Sequence, residues 1–150
     1  IRCGECIKAC PTAAIQPAMS EAGGEEIWTP VLVPRNGFCQ YSCNACGRVC
    51  PVQAIPPLTL ENKKITPIGW AVIDENRCLP WSQNTPCIVC EEMCPVPHKA
   101  IALRTATVRD SSGNTIELLQ PLVNKGRCIG CGLCEYKCPV SGEAAIRVRA

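Results

Sequence analysis

Apolar residues along the 150-residue chain fall in short clusters, separated by stretches rich in Cys, Pro and Gly. Residues 27–34 read as a β-type run. Residues 64–74 carry Ile65, Ile68, Trp70, Val72 and Ile73 and predict a second strand. Residues 105–123 predict a hairpin that turns at Asp110-Ser-Ser-Gly-Asn114. Residues 145–148 predict a closing strand. Helical pattern covers little more than single turns. An Ala-Ile pair recurs as Ala14-Ile15, Ala54-Ile55, Ala100-Ile101 and Ala145-Ile146, which marks internal repeats that pack recurrent apolar side chains. The expected fold class is α+β, with short hairpins and short helices.

Composition changes this picture. The 47% hydrophobic fraction includes 15 cysteines, a tenth of the chain. What remains is lean for a self-supporting core, and domains of that kind lean on disulfides or metals. No apolar run approaches the roughly 18 residues needed to cross a bilayer, and no secretory leader is visible. Net charge is +2 with scattered Lys and Arg, so there is no nucleic-acid footprint. The 14 Pro and 11 Gly are spread along the chain, unlike a low-complexity sequence.

The cysteines form four groups, each ending in Cys-Pro. They are Cys3, Cys6 and Cys10; Cys39, Cys43, Cys46 and Cys50; Cys78, Cys87, Cys90 and Cys94; and Cys128, Cys131, Cys134 and Cys138. The last follows C-x2-C-x2-C-x3-C-P, the bacterial ferredoxin run for 4Fe–4S clusters. Two-residue gaps wrap the backbone so that several thiolates converge on one cubane. The three-residue gap starts a helical turn that carries the fourth thiolate toward a second cluster, and proline ends the loop. Gly4, Gly47, Gly130 and Gly132 adjoin these ligands, where a missing Cβ allows close approach. A zinc module is the alternative, but zinc sites pair separated cysteines, often with histidine, and the chain has one His. A disulfide framework leaves the repeated spacing unexplained.

All 15 cysteines are therefore expected ligands of four 4Fe–4S clusters, and none is left for nucleophilic catalysis. The first group shows three ligands. Its spacing puts a fourth immediately before Ile1, so the sequence is expected to begin inside its own motif. A three-iron cluster, or a cubane with an open iron that binds substrate, is the enzymatic alternative. In two-cluster ferredoxins each motif lends its last cysteine to the other cluster. Pairing of neighbours is expected: Cys50 joins Cys3 and Cys6, and Cys10 joins Cys39, Cys43 and Cys46. Likewise Cys138 joins Cys78, Cys87 and Cys90, and Cys94 joins Cys128, Cys131 and Cys134. This makes tandem two-cluster units over residues 1–66 and 67–150. A nested scheme, with groups one and four exchanging and groups two and three exchanging, stays open at this point.

The opening Ile1-Arg-Cys-Gly-Glu-Cys-Ile-Lys-Ala-Cys-Pro11 segment, the Cys43-Asn-Ala-Cys46-Gly-Arg-Val-Cys-Pro51 segment and the long-spaced Cys78-Leu-Pro-Trp81 to Cys94-Pro95 segment resemble the MauM/NapG-type ferredoxins. The resemblance implies an electron-transfer protein or subunit, not an enzyme, that relays single electrons beside a respiratory or periplasmic oxidoreductase. It implies redox protein partners: a membrane-bound quinol-linked subunit and an oxidoreductase or cytochrome. The implied location is periplasmic or membrane-associated, with no leader in this stretch; the cytoplasm stays open.

Other residues fare less well as functional candidates. His98 is expected to be solvent-exposed. Trp81 is expected to pack over a cluster and shield it. The acidic run at residues 21–26 reads as a solvated turn or a dock for a basic partner. Glu91 and Glu92 are expected to lower the potential of a neighbouring cluster. Each oxidised cluster with four thiolates carries about −2, which moves the chain from +2 to roughly −6 and favours basic partner patches.

Overall fold

A computed structural model describes residues 2–19, 27–109 and 112–149. Its helices are single turns: α1 (Glu5–Ala9), α2 (Ala45–Val49), α3 (Leu60–Ile65), α4 (Leu79–Ser82), α5 (Val89–Glu92) and α6 (Leu133–Lys137). The strands are β1 (Ile15–Pro17), β2 (Pro30–Leu32), β3 (Trp70–Ile73), β4 (Ile101–Arg109), β5 (Thr115–Val123) and β6 (Ile146–Arg149). Among the described residues these strands form three two-stranded antiparallel sheets, β1–β2, β3–β6 and β4–β5. The outcome is the small mixed α+β class expected of a ferredoxin-like fold.

Four of the helices, α1, α2, α5 and α6, are the short turns between the last two cysteines of each group. They pack in pairs, α1 on α2 and α5 on α6. The strands follow from what comes next in each repeat. In three repeats the alanine of the Ala-Ile pair is buried, and its carbonyl accepts an N–H from the stretch that leads into a cysteine group. Val33 donates to Ala14 at 2.8 Å, Asn124 to Ala100 at 2.7 Å and Asp74 to Ala145 at 2.7 Å. The repeat unit is thus a cysteine turn closed by a ladder bond. Ala54 lacks this environment and is exposed, and no strand forms there.

The strand expectations need correction in three places. In the run at 27–34 only Pro30–Leu32 is strand; Trp28 turns the chain with φ 68. In the run at 64–74 only Trp70–Ile73 is strand, and Lys64 and Ile65 end helix α3. Thr59 caps that helix by accepting the Asn62 N–H at 3.2 Å, a local bond that overrides the β-type pattern. The long hairpin starts at Ile101, four residues before the expected edge; part of its turn, at 110–111, lies outside the described residues. The closing strand falls at Ile146–Arg149, close to expectation.

Apolar packing is as thin as composition suggested. One core cluster joins Ala71, Cys90, Ile101, Cys134 and Ile146, with Ile73, Val123, Cys128 and Cys138 against it. Cysteines are built into the core itself. Replacing Thr59 with Ala is expected to cost about 1 kcal/mol through loss of the cap. A thermal melt of the iron-loaded protein checks it, and iron content should not change.

Candidate iron–sulfur centres

The structure gathers the thiols into four sets. One cavity of about 280 Å³ is lined by Cys10, Cys39, Cys43 and Cys46. A second is lined by Cys78, Cys87, Cys90 and Cys138, and a third by Cys94, Cys128, Cys131 and Cys134. The remaining Cys3, Cys6 and Cys50 approach one another as well. Burial raises the Cys6 thiol above its ordinary range, and the neighbouring Cys3 and Cys50 raise it further. In every set the last cysteine of one group meets the leading cysteines of its neighbour in sequence.

Electrostatics follow the same sets, with added influence across them of Cys90 on Cys134 and of Cys39 on Cys131. Burial pushes the Cys78 thiol up to about 11, with Cys87 and Cys138 adding to it. Burial pushes Cys90 up to about 12, with Cys78, Cys87 and Cys138 adding. Cys134 is raised by burial and then by Cys131, Cys90 and Cys128. Cys46 is raised by burial, then by Cys39, with Cys43 and Cys10 adding. Clustered thiols that burial keeps protonated are poor nucleophiles. They become ligands when a metal takes the place of their protons.

The donor set fits an iron–sulfur cubane. Such a group needs thiolates with backbone N–H groups pointed at sulfur, and both are present. Ala71 donates its N–H to Cys128 Sγ at 3.3 Å, and Ala100 donates to Cys94 Sγ at 3.3 Å. Cys50 is held below the ordinary thiol range by N–H groups, first that of Ile55, then those of Val52, Ala54 and Gln53. Burial works to raise Cys10, but the Thr12 hydroxyl and the N–H groups of Ile15, Thr12 and Ala14 outweigh it, and the net shift is downward. A left-handed residue three positions after the cysteine makes this curl: Ala13 and Gln53 both have φ 53.

A second repeated device lies before the cysteines, and the spacing analysis missed it. Asp74-Glu-Asn-Arg77-Cys78 and Asn124-Lys-Gly-Arg127-Cys128 form matching turns. Cys78 N–H donates to the Asp74 carbonyl at 3.0 Å, and Cys128 N–H to that of Asn124 at 3.1 Å. Each turn's arginine then holds the loop after the other group's Cys-Pro. Arg77 donates to the Glu143 carbonyl at 2.8 Å and Arg127 to the His98 carbonyl at 3.1 Å. The similar Asx-x-x-Arg-Cys wording was the available signal. His98 is exposed, as expected.

Trp81 is fixed by polar contacts. Its Nε1–H donates to the Pro121 carbonyl at 3.2 Å, and the Arg104 guanidinium stacks 4.8 Å from its ring. Arg104 also donates to Gln120 Oε1 at 2.8 Å. The indole therefore fixes the long loop to the hairpin. The apolar lining of the Cys78, Cys87, Cys90 and Cys138 cavity comes from Ile73, Leu79, Pro121 and Ile146. The acidic run at 21–26 lies outside the described residues.

Glu91 and Glu92 also separate. Glu91 Oε1 pairs with Lys99 Nζ at 2.7 Å, so that pair adds little net charge near sulfur, whereas Glu92 is exposed. Replacing Glu92 with Gln is expected to raise a neighbouring cluster's midpoint by on the order of tens of millivolts, a screened Coulomb effect. Replacing Glu91 and Lys99 together by Gln should leave it almost unchanged. Potentiometric titration followed by EPR separates the two.

Known proteins match this chain along nearly its whole length. A family model for a 4Fe-4S binding domain matches residues 121–141. The methylamine utilization ferredoxin-type protein MauM of Methylorubrum extorquens is 34% identical over 99% of this chain and 64% of its own length. The ferredoxin-type protein NapF of Escherichia coli is 31% identical over 96% of this chain and 73% of its own length. The chain belongs to the ferredoxin-type protein family of MauM, NapG and NapF. The NapG protein of Escherichia coli is 33% identical over 99% of the chain and 62% of its own length. The chain thus spans a little under two thirds of the MauM and NapG proteins. No solved structure matches. The 4Fe-4S binding-domain match falls on the fourth cysteine group, Cys128 to Cys138. Among the described residues no helix is long and apolar enough to cross a membrane.

Proposed function

We propose that the chain relays single electrons through four 4Fe–4S clusters. One feature carries this reading: the thiols meet in four sets, and each set draws its last cysteine from the neighbouring group. Cys3, Cys6 and Cys50 hold the first cluster. Cys39, Cys43, Cys46 and Cys10 hold the second. Cys78, Cys87, Cys90 and Cys138 hold the third, and Cys128, Cys131, Cys134 and Cys94 the fourth. Residues 1–66 and 67–150 are then two ferredoxin-like units. The matched arginine turns at Arg77 and Arg127 support the symmetry of the second unit.

The clusters supply one-electron chemistry with little rearrangement, and the chain supplies the rest. Its N–H groups at Cys50, Cys94 and Cys128 favour charge on sulfur. The partners we propose are a membrane-bound quinol-linked subunit and an oxidoreductase or cytochrome, in or beside the periplasm. The relatives' names, ferredoxin-type proteins, support the electron-carrying part of this reading. Anaerobic addition of dithionite is expected to bleach a broad visible absorption, and air or an oxidised cytochrome to restore it. A colourless, zinc-loaded protein would sink the relay.

A further inference from the structure

We propose that the main-chain contact between Cys39 and Cys131 is the electron junction between the two halves of the chain. Electrons then cross the protein in the spatial order first, second, fourth, third set. This rests on the thiol sets proposed above holding clusters.

Cys39 belongs to the second set and Cys131 to the fourth. The Cys39 N–H donates to the Cys131 carbonyl at 2.7 Å. Two ligand residues from opposite halves are therefore joined by one hydrogen bond, with no intervening side chain. The surrounding chain is built to hold them close. At the start of the second half, Ile68 N–H donates to the Ile129 carbonyl at 3.0 Å, two residues from Cys131, and so fixes the Cys131 loop beside the boundary. Gly132 has φ +80, and a Cβ there would sit 2.8 Å from Pro34 Cβ. Gly130 has φ +71, and a Cβ there would sit 2.6 Å from the Gly69 carbonyl oxygen. A side chain at Gly132 would push the halves apart, and one at Gly130 would displace Gly69 within the second half.

Arg35 then clamps the contact. Its Nη1 donates to the carbonyls of Glu135 at 3.0 Å and Cys138 at 3.1 Å. Its Nη2 donates to Val140 at 2.6 Å and its Nε to Gly142 at 3.0 Å. Four bonds from one guanidinium bind the second set's leading turn to the fourth group's exit loop.

Neither Cys39 nor Cys131 lines the other two sets, although Arg35 also reaches Cys138 and Val140 of the third set's lining. Every residue lining the third set's cavity comes from position 73 onward. Cys3 of the first set is exposed and has Gly4, Ile7, Pro17 and Trp28 around it. Within the second half, Cys90 and Cys134 share one core cluster, which joins the third set to the fourth. Within the first half, α1 carries Cys6 against α2, which carries Cys46. In each crossing one electron leaves the Cys39 side, oxidised by one unit, and arrives at the Cys131 side, reduced by one unit. No bond forms or breaks, and no proton moves.

The test uses the full-length iron-loaded protein reduced by dithionite, with EPR to read spin–spin splitting between neighbouring reduced clusters. In Cys43→Ala, which takes away the second cluster, the fourth cluster's signal is expected to lose part of its splitting. In Cys6→Ala, which takes away the first, that signal should stay as it was. The reverse pattern, or no change in either variant, overturns the junction. Arg35→Ala removes no thiol, so it should keep full iron and weaken the same splitting; unchanged splitting there counts against the proposal even if the cysteine variants fail to fold. Iron and sulfide analysis separates the two layers of the argument. Full clusters with the wrong splitting overturn only the junction, whereas a wild-type protein lacking four clusters overturns the sets as well.

Discussion

Replacing Cys138 with Ala is expected to remove the cluster held by Cys78, Cys87 and Cys90, and to leave the one nearest in sequence intact. Cys138 lies four residues from Cys134 but lines the other set's cavity. Cys90 feels its charge together with those of Cys78 and Cys87. The EPR spectrum of Cys138→Ala should therefore match that of Cys87→Ala and differ from that of Cys131→Ala. Iron should fall by about one cluster in four. The mirror experiment is Cys10→Ala, which should match Cys43→Ala. The nested scheme predicts something else, because there Cys138 serves Cys3 and Cys6. A Cys138→Ala spectrum that matches Cys6→Ala would establish nesting and overturn the sets drawn above.

Removing the iron is expected to unfold the chain, not merely to empty it. The core joins Ala71, Ile101 and Ile146 to Cys90 and Cys134, so the thiols occupy the places where a larger domain would put leucine and phenylalanine. Without clusters, that core is left with small and medium apolar groups around cavities. Cavities of this kind are costly, and metal binding in small domains is itself folding free energy. After treatment with an oxidant and a chelator under anaerobic conditions, the apo chain should lose its near-ultraviolet circular dichroism and its cooperative thermal transition. All 15 thiols should then react quickly with a disulfide reagent. An apo chain that still melts cooperatively would show that side-chain packing alone holds the fold.

The leading cysteines of each group could be read from the sequence because short spacings encode local geometry, whereas the donor of each set's last cysteine could not. C-x2-C-x3-C-P constrains a single loop, and that loop needs no tertiary information to be read. What escaped was either long-range or carried by the backbone. Arg35 reaches carbonyls about a hundred positions away, which no window along the chain reveals. Helix α3 is hidden in a β-type apolar pattern, and one capping bond from Thr59 decides it. The N–H groups that crowd Cys50 depend on Gln53 adopting φ 53, a conformation its side chain does not advertise. The sequence did not show that the polar Nε1–H of Trp81, which needs a partner, finds one on the Pro121 carbonyl 40 positions away. The pairing of β3 with β6 closes the chain from residue 70 to residue 149, a contact that local pattern cannot fix.

The central claim is the number and kind of clusters. Redox-titrated EPR with spin quantitation, together with iron and acid-labile sulfide analysis of the full-length protein, tests it most directly. The account predicts about four 4Fe–4S clusters, each taking up one electron. Two clusters, or zinc in place of iron, would contradict it.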